Sequence, residues 1–201
     1  LLISVAQAIF SITSSYEPIA LITGFLMVGY ATCYTMMPVF ALVFDYDVER
    51  EVCFVFPELY HELTSGKSLS YVTFFVWCAV SFYQGSVIQL FSQGFTSIKA
   101  EDFTKMVALC FSGLVLNELT MVGVEIHTWN KKMIFSELVT FLLYVGSVPF
   151  LAEYFDLGFM MSLDFFWQLS VILGTSILPI WLSKVVYKRL YPPNYAKVQG
   201  Y

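Results

Sequence analysis

Long stretches without a charged residue constrain this chain more than any other feature. Residues 19–44, 68–98 and 165–183 carry no Asp, Glu, Lys or Arg. A helix that spans a bilayer needs roughly 20 mostly apolar residues, and core helices of soluble proteins are rarely apolar all round for that length. Only 12% of the 201 residues are charged, against about 25% in an average soluble domain. The sequence therefore predicts a membrane protein with several spans and excludes a soluble globular domain.

The apolar stretches and the turn residues between them predict six transmembrane helices. We expect an all-α, polytopic membrane helix bundle over residues 1–186, with spans at about 1–17, 20–44, 72–93, 104–126, 133–151 and 164–186. Residues 45–71 form the longest predicted loop, and residues 187–201 form a basic tail. Because the chain starts at Leu1 inside an apolar stretch and without Met, we expect it to be a fragment of a longer polypeptide.

Lysine and arginine predict the orientation of the bundle. Eight of the ten lie in the loop 45–71, the connector 127–132 or the C-terminal end of the chain, all on one predicted side, and Lys99 and Lys105 lie on the other. Cytosolic loops carry an excess of these residues. We therefore expect the long loop and the C-terminus in the cytosol, and the even number of spans places the start of the first helix there too.

Polar side chains in the first span mark candidate positions for a substrate path. Gln7 and Ser11 share one face, because residues four apart lie one above the other on a helix. This face predicts either a wall of a polar groove or hydrogen bonds to neighbouring helices, worth roughly 0.6 kcal/mol each. Both interpretations are open at this point.

The second span carries a proline among aromatic and hydroxyl side chains. Pro38 lacks an amide hydrogen, so the carbonyl of Tyr34 loses its helical partner. In lipid such a carbonyl needs another donor or a water-filled cavity, and interrupted helices often line transport sites. A simple kink that neighbouring groups satisfy is the alternative. The candidate path residues in this span are Tyr30, Thr32, Tyr34, Thr35 and Pro38.

Three polar residues lie deep in the third and fourth spans. We expect the amide of Gln84 to bond a neighbouring helix. Asn117 and Glu118 lie near the middle of the fourth span. Insertion of a charged residue at the centre of a bilayer costs roughly 2.5–3.5 kcal/mol, and a residue of this kind is taken as functional by default. The alternative for Glu118 is a protonated carboxylic acid that donates a hydrogen bond to a neighbour.

Sites for nucleotides, metals and nucleic acid are absent from the sequence pattern. There is no Walker loop, no Gly-rich nucleotide motif and no His-Glu-x-x-His, so we predict no catalytic residue in this chain. His61 and His127 have no third ligand at metal spacing, and we predict no metal site. The net charge of -5 argues against a nucleic-acid partner, which would need a basic patch.

Motifs in residues 24–48 and beyond resemble those of a known family. Tyr34, Thr35 and Pro38 are followed by Asp45-Tyr46-Asp47-Val48, then by Pro57-Glu58-Leu59-Tyr60 in the long loop. This pattern resembles the C-terminal membrane portion of type IV P-type ATPases, the phospholipid flippases. Gln84 and Asn117 match motifs of the family's seventh and eighth helices. The sequence of residues 24–48 most resembles that of the family's Golgi and endosomal subgroup.

The resemblance implies a fold and an activity for the longer protein. Our six spans would be helices five to ten of ten, and ATP and Mg²⁺ would act on domains upstream, because the phosphorylated Asp-Lys-Thr-Gly motif is absent here. The substrate would be an aminophospholipid (phosphatidylethanolamine or phosphatidylserine) moved toward the cytosolic leaflet. The implied partners are the chain's own upstream cytosolic domains, with no obligatory accessory subunit, in Golgi or endosomal membranes.

Two other functions stay open on the residues alone. An ion-coupled secondary transporter would use Asn117 and Glu118 as its ion or proton site. A non-catalytic membrane scaffold would use the polar residues of the third to sixth spans only to hold helices together.

Overall fold

A computed structural model describes residues 1–16, 18–44, 70–96, 102–126 and 131–190. The long loop up to residue 69, the tail from residue 191, both histidines and the Asp-x-Asp-Val and Pro-x-Leu-Tyr motifs lie outside this part. In the described ranges the regular structure is entirely helical, so the all-α membrane bundle is confirmed. The helices in chain order are α1 (Leu2–Thr13), α2 (Gly24–Gly29), α3 (Met36–Ala41), α4 (Tyr71–Phe95), α5 (Phe103–Glu125), α6 (Lys131–Ser147), α7 (Leu157–Met160) and α8 (Leu163–Leu190).

Four helices in the described ranges are long and apolar enough to cross a membrane. They are Tyr71–Phe95, Phe103–Glu125, Lys131–Leu151 and Leu163–Tyr187, and the last four predicted spans fall on them. The first two predicted spans fall on shorter apolar helices, Leu2–Thr13 and Gly24–Phe40. The 12 residues of α1 rise only about 18 Å, less than the roughly 30 Å of a hydrocarbon core. The count of six spans therefore stays a prediction.

The first helix ends earlier than the predicted span 1–17. The hydroxyl of Thr13 donates to the carbonyl of Ile9 at 2.8 Å, and such side-chain bonds compete with the helical backbone pattern. Ser15 and Tyr16 then adopt left-handed φ angles of 58° and 61°. The chain therefore leaves the helical conformation directly after α1.

The helix α5 lies at the centre of the bundle. Its residues from Met106 to Val115 are all buried, and it contacts α1, α3, α4, α6, α7 and α8. Small residues permit this packing: a Cβ at Gly113 would lie 3.2 Å from Ile88 of α4 and 3.5 Å from Ile172 of α8. Close approach of this kind stabilises helix association in lipid through van der Waals packing. The hydrophobic effect contributes little there, because lipid tails are as apolar as the side chains that they surround.

The outer faces of α4, α6 and α8 carry large apolar side chains. Phe74 and Phe75 of α4, Phe135 of α6 and Trp167 of α8 are all more than half exposed. An apolar surface of this kind is compatible with direct contact with lipid tails. The bundle thus positions α5 inside and leaves its partners in contact with the membrane.

Candidate substrate path

The predicted second span is an interrupted helix. A π-helical segment, Tyr30–Tyr34, separates α2 from α3, and a short 3₁₀ turn, Leu42–Phe44, follows α3. The amide of Thr35 donates to the carbonyl of Tyr30 at 3.2 Å, five residues back, instead of to residue 31. Pro38, which is buried, removes the donor that would serve the carbonyl of Tyr34. Single π turns of this kind are frequent at functional sites.

The two tyrosines of the π segment face the interior of the bundle. Tyr30 and Tyr34 are both buried, and each meets the edge of Phe111 on α5, with ring centroids 6.4 and 6.0 Å apart. Tyr34 also packs against Tyr144 of α6 at 5.9 Å. Edge-to-face pairs add about 0.5–1.5 kcal/mol each beyond area burial. These rings therefore fasten the π segment to α5 and α6.

A chain of hydroxyl groups reinforces this contact. Ser147 donates to the carbonyl of Tyr144 at 2.7 Å, so its oxygen accepts the proton of Tyr34 at 2.5 Å. Ser112 likewise donates to the carbonyl of Ala108 at 2.6 Å and accepts from the hydroxyl of Tyr144 at 2.5 Å. Each hydroxyl has a single proton, so these partners fix the direction of every bond. Tyr34 and Tyr144 thus hold the π segment, α5 and α6 together.

Two hydroxyl residues, one in the π segment and one directly after it, lie on the other side. Thr32 is exposed and donates to the carbonyl of Val28 at 2.7 Å, and Thr35 is half-buried and donates to the carbonyl of Ala31 at 3.0 Å. Both protons are used within the helix, which leaves oxygen lone pairs as acceptors. The predicted path residues of the second span therefore divide into an inner tyrosine face and an outer threonine face.

The predicted polar face of α1 binds the chain that follows it. The side-chain oxygen of Gln7 accepts from the amide of Ile22 at 3.2 Å, and the hydroxyl of Ser11 donates to the carbonyl of Gln7 at 3.0 Å. Gln7 is half-buried, and Ile22 lies two residues before α2. The hydrogen bond between Gln7 and Ile22 thus connects the start of the interrupted helix to α1.

A separate polar junction joins three long helices. Asn117 of α5 accepts at its side-chain oxygen from Gln84 of α4 at 3.3 Å and from Ser176 of α8 at 2.8 Å. All three residues are buried, and the amide nitrogen of Asn117 has no partner among the described residues. The structure thus brings together two of the predicted buried polar residues, Gln84 and Asn117.

Glu118 lies on a different side of α5 from this junction. It is half-buried and lies within electrostatic range of Tyr30 of the π segment and Glu137 of α6. The two neighbours Asn117 and Glu118 therefore do not form one site. Glu118 belongs with the interrupted helix and with α6.

Several residues of these contacts were not identified from the sequence. Ser147 and Tyr144 are three residues apart on α6, a spacing that could have marked one polar stripe.

Near the end of the bundle where α5 finishes, Lys184 of α8 forms an ion pair with Glu125 and lies over the ring of Trp77 at 4.9 Å. No sequence pattern marked this contact, which joins α4, α5 and α8.

The described residues do not fit the magnesium ion that the resemblance implies. Within the ranges given above, no group of three or more His, Cys, Asp and Glu side chains could hold a metal ion. We assign no residue of this part to Mg²⁺ or ATP.

Comparison with known proteins gives consistent matches over the whole chain. Residues 1–193 match the family model described as phospholipid-translocating P-type ATPase C-terminal. The chain is 59% identical over its full length to "Phospholipid-transporting ATPase NEO1" of Saccharomyces cerevisiae, of which it covers 18%. It is 48% identical over 99% of its length to the "Phospholipid-transporting ATPase neo1" of Schizosaccharomyces pombe, of which it covers 19%. It is 43% identical over its full length to "Probable phospholipid-transporting ATPase IIB" of Bos taurus, of which it covers 17%.

Proposed function

The chain belongs to the family of C-terminal regions of phospholipid-translocating P-type ATPases, and on that premise we propose that it forms part of the path of an ATP-driven lipid translocase. The whole protein would move an aminophospholipid, phosphatidylethanolamine or phosphatidylserine, toward the cytosolic leaflet. ATP hydrolysis with Mg²⁺ would occur in cytosolic domains outside this chain, which spans 17–19% of the length of the relatives given above.

The interrupted helix carries this proposal. Its π segment is held on one face by two buried tyrosines, and the exposed Thr32 and the half-buried Thr35 carry hydroxyl oxygens on the other face. A lipid head group needs polar partners while it crosses, whereas its acyl chains can stay in the bilayer. The rigid inner face therefore suits a support, and the outer face of Thr32 and Thr35 suits contact with the head group. Their free lone pairs would accept hydrogen bonds from an ammonium group.

The remaining candidate path residues act on the same helix. Tyr30, Tyr34 and Pro38 would keep the π segment in position, and Gln7 would hold the chain just before α2 against α1. Ser11, which donates to the backbone carbonyl of Gln7, would support α1 at this contact. In this proposal they are positioning residues, because Tyr34, Gln7 and Ser11 bond to the protein and Tyr30 and Pro38 are buried in it.

The location and partners of the protein follow from the same premise. We propose Golgi or endosomal membranes, a cytosolic C-terminus and no obligatory accessory subunit. The loop 45–71 and the tail 187–201 would contact the protein's own cytosolic domains.

Substitution on the outer face tests the proposal. Thr32→Leu should lower ATP-dependent uptake of fluorescent phosphatidylethanolamine several-fold in cells that express the native-length protein, with expression unchanged. Ser170→Leu is the matched control, because Ser170 is also exposed and also donates to a carbonyl four residues back. Equal uptake by both variants and the unsubstituted protein would remove Thr32 from the path.

A scaffold role is the second candidate, for α4, α5, α6 and α8. The observation in its favour is the complete burial of the Gln84, Asn117 and Ser176 junction.

The ion-coupled alternative is less well supported, because the side-chain oxygen of Asn117 already accepts two hydrogen bonds from protein. If Glu118→Gln left transport with an unchanged pH dependence, the ion-coupled alternative would lose its remaining residue.

A further inference from the structure

An apolar groove runs along the outer surface between α5 and α6. Its volume is about 580 Å³, within the roughly 300–1,000 Å³ range of ligand sites. Leu116 and Val124 line it on the α5 side, and Ile134, Leu138 and Phe141 line it on the α6 side. The three α6 residues are each about half exposed, so the groove opens outward to where lipid tails would lie.

One ionisable residue lines the groove. Glu137 of α6 is half-buried, and its buried oxygen Oε1 has no hydrogen-bond partner in the described part of the chain. A second carboxyl group, that of Glu118, lies within electrostatic range. Carboxyl groups inside a membrane are costly unless they are paired or line a site. The groove is therefore complementary to an occupant that is apolar along most of its length and carries a cationic hydrogen-bond donor.

The depth of Glu137 fits the head group of a bilayer lipid. It lies six residues after the start of α6, about 9 Å along the helix axis. The head-group layer is roughly 5–7 Å thick on each side of the hydrocarbon core. If α6 enters the head-group layer at Lys131, a lipid ammonium group would have to descend only a few ångströms to reach this carboxyl group while its acyl chain lies along the groove.

We propose that this groove binds one membrane lipid whose head group carries a primary ammonium, with Glu137 as its partner. The site lies on α5 and α6, apart from the outer face of Thr32 and Thr35 on the interrupted helix. Its occupant is therefore a resident lipid of the bundle and not the transported molecule. The distinction between a resident and a transported lipid rests on the proposed function, whereas binding at this site needs neither ATP nor transport, so a failure of the one proposal is distinguishable from a failure of the other.

Photo-crosslinking tests the proposal. The native protein is reconstituted without ATP in nanodiscs that contain phosphatidylethanolamine with a diazirine in one acyl chain, and in a parallel sample the matching phosphatidylcholine. We expect the ethanolamine probe to label peptides 116–124 and 134–141 several-fold more than the choline probe, which cannot donate a hydrogen bond. Glu137→Gln should reduce labelling to the choline level, and Asp164→Asn, a charge loss at an exposed position on α8, should leave it unchanged.

Three results would overturn the proposal. They are equal labelling by both probes, ethanolamine labelling that Glu137→Gln does not change, and absence of labelling by either probe, which would mean that another polypeptide covers the groove. If Glu137→Gln fails to fold, Leu138→Trp replaces it. The larger side chain should fill the groove and remove labelling by both probes with Glu137 intact, and persistent labelling would contradict the proposal.

Discussion

The Asn117 junction allows a quantitative prediction about the stability of the bundle. Asn117→Leu keeps a similar volume but removes the acceptor of two interhelical hydrogen bonds, from Gln84 and from Ser176. Interhelical bonds in membrane proteins are worth about 0.6 kcal/mol on average and at most about 1.7. We therefore expect the free energy of unfolding to fall by about 1–2 kcal/mol, which is close to a tenfold change in the unfolding equilibrium constant.

The assay is equilibrium unfolding of the purified native protein by sodium dodecyl sulfate in mixed micelles. Thr120→Val is the control, because Thr120 is exposed on the same helix and donates only to the carbonyl of Leu116. The control should change the free energy by less than about 0.5 kcal/mol. If Asn117→Leu unfolds like the control, the junction does not stabilise the bundle.

A double-mutant cycle separates the two bonds. In a Ser176→Ala background, Asn117→Leu can break only the bond from Gln84, so its cost should fall by roughly the 0.6 kcal/mol of one bond. Strict additivity of the two substitutions would show that Asn117 and Ser176 are not coupled, against the 2.8 Å contact.

Three further substitutions test other contacts. Tyr34→Phe removes the bond to Ser147 and should cost about 0.5–1.5 kcal/mol in the same unfolding assay; no loss would mean that this bond does not hold the π segment. Gly85→Ala places a Cβ 2.9 Å from a backbone oxygen of α1 and should destabilise by about 1–3 kcal/mol, whereas Gly174→Ala meets no atom within 4 Å and should not. Lys184→Met removes a partly exposed ion pair and a ring contact, so a cost of about 1 kcal/mol is expected; more than about 3 kcal/mol would indicate a more deeply buried pair than its exposure suggests.

The sequence predicted the class of fold because the membrane simplifies the physics. Predominantly apolar stretches of sufficient length form helices in lipid, and the positions of α4, α5, α6 and α8 follow from that rule. The interruption of the second span was also predictable, since Pro38 removes a backbone donor. The type of interruption was not predictable, because a missing backbone donor at Pro38 does not determine that a π turn forms at Tyr30–Tyr34.

The contacts of the candidate site could be predicted only in part. Gln84 and Asn117 were recognised as buried polar residues, but Ser176 was not, because serine is common on helices that face lipid. Tyr34 and Thr32 were grouped as path residues, whereas the helix turns them toward opposite sides. The bond between Tyr34 and Ser147 joins residues 113 positions apart, and no local pattern in a single sequence encodes such a pairing.

The most direct test of the account is lipid movement by the purified native protein in proteoliposomes. Fluorescent phosphatidylethanolamine is incorporated, Mg²⁺ and ATP are added outside, and the fraction protected from a membrane-impermeant quencher is followed. We expect that ATP drives the lipid toward the leaflet that faces the nucleotide, and that Thr32→Leu slows this movement while Ser170→Leu does not. Lipid movement that follows an imposed proton gradient and ignores ATP would contradict it.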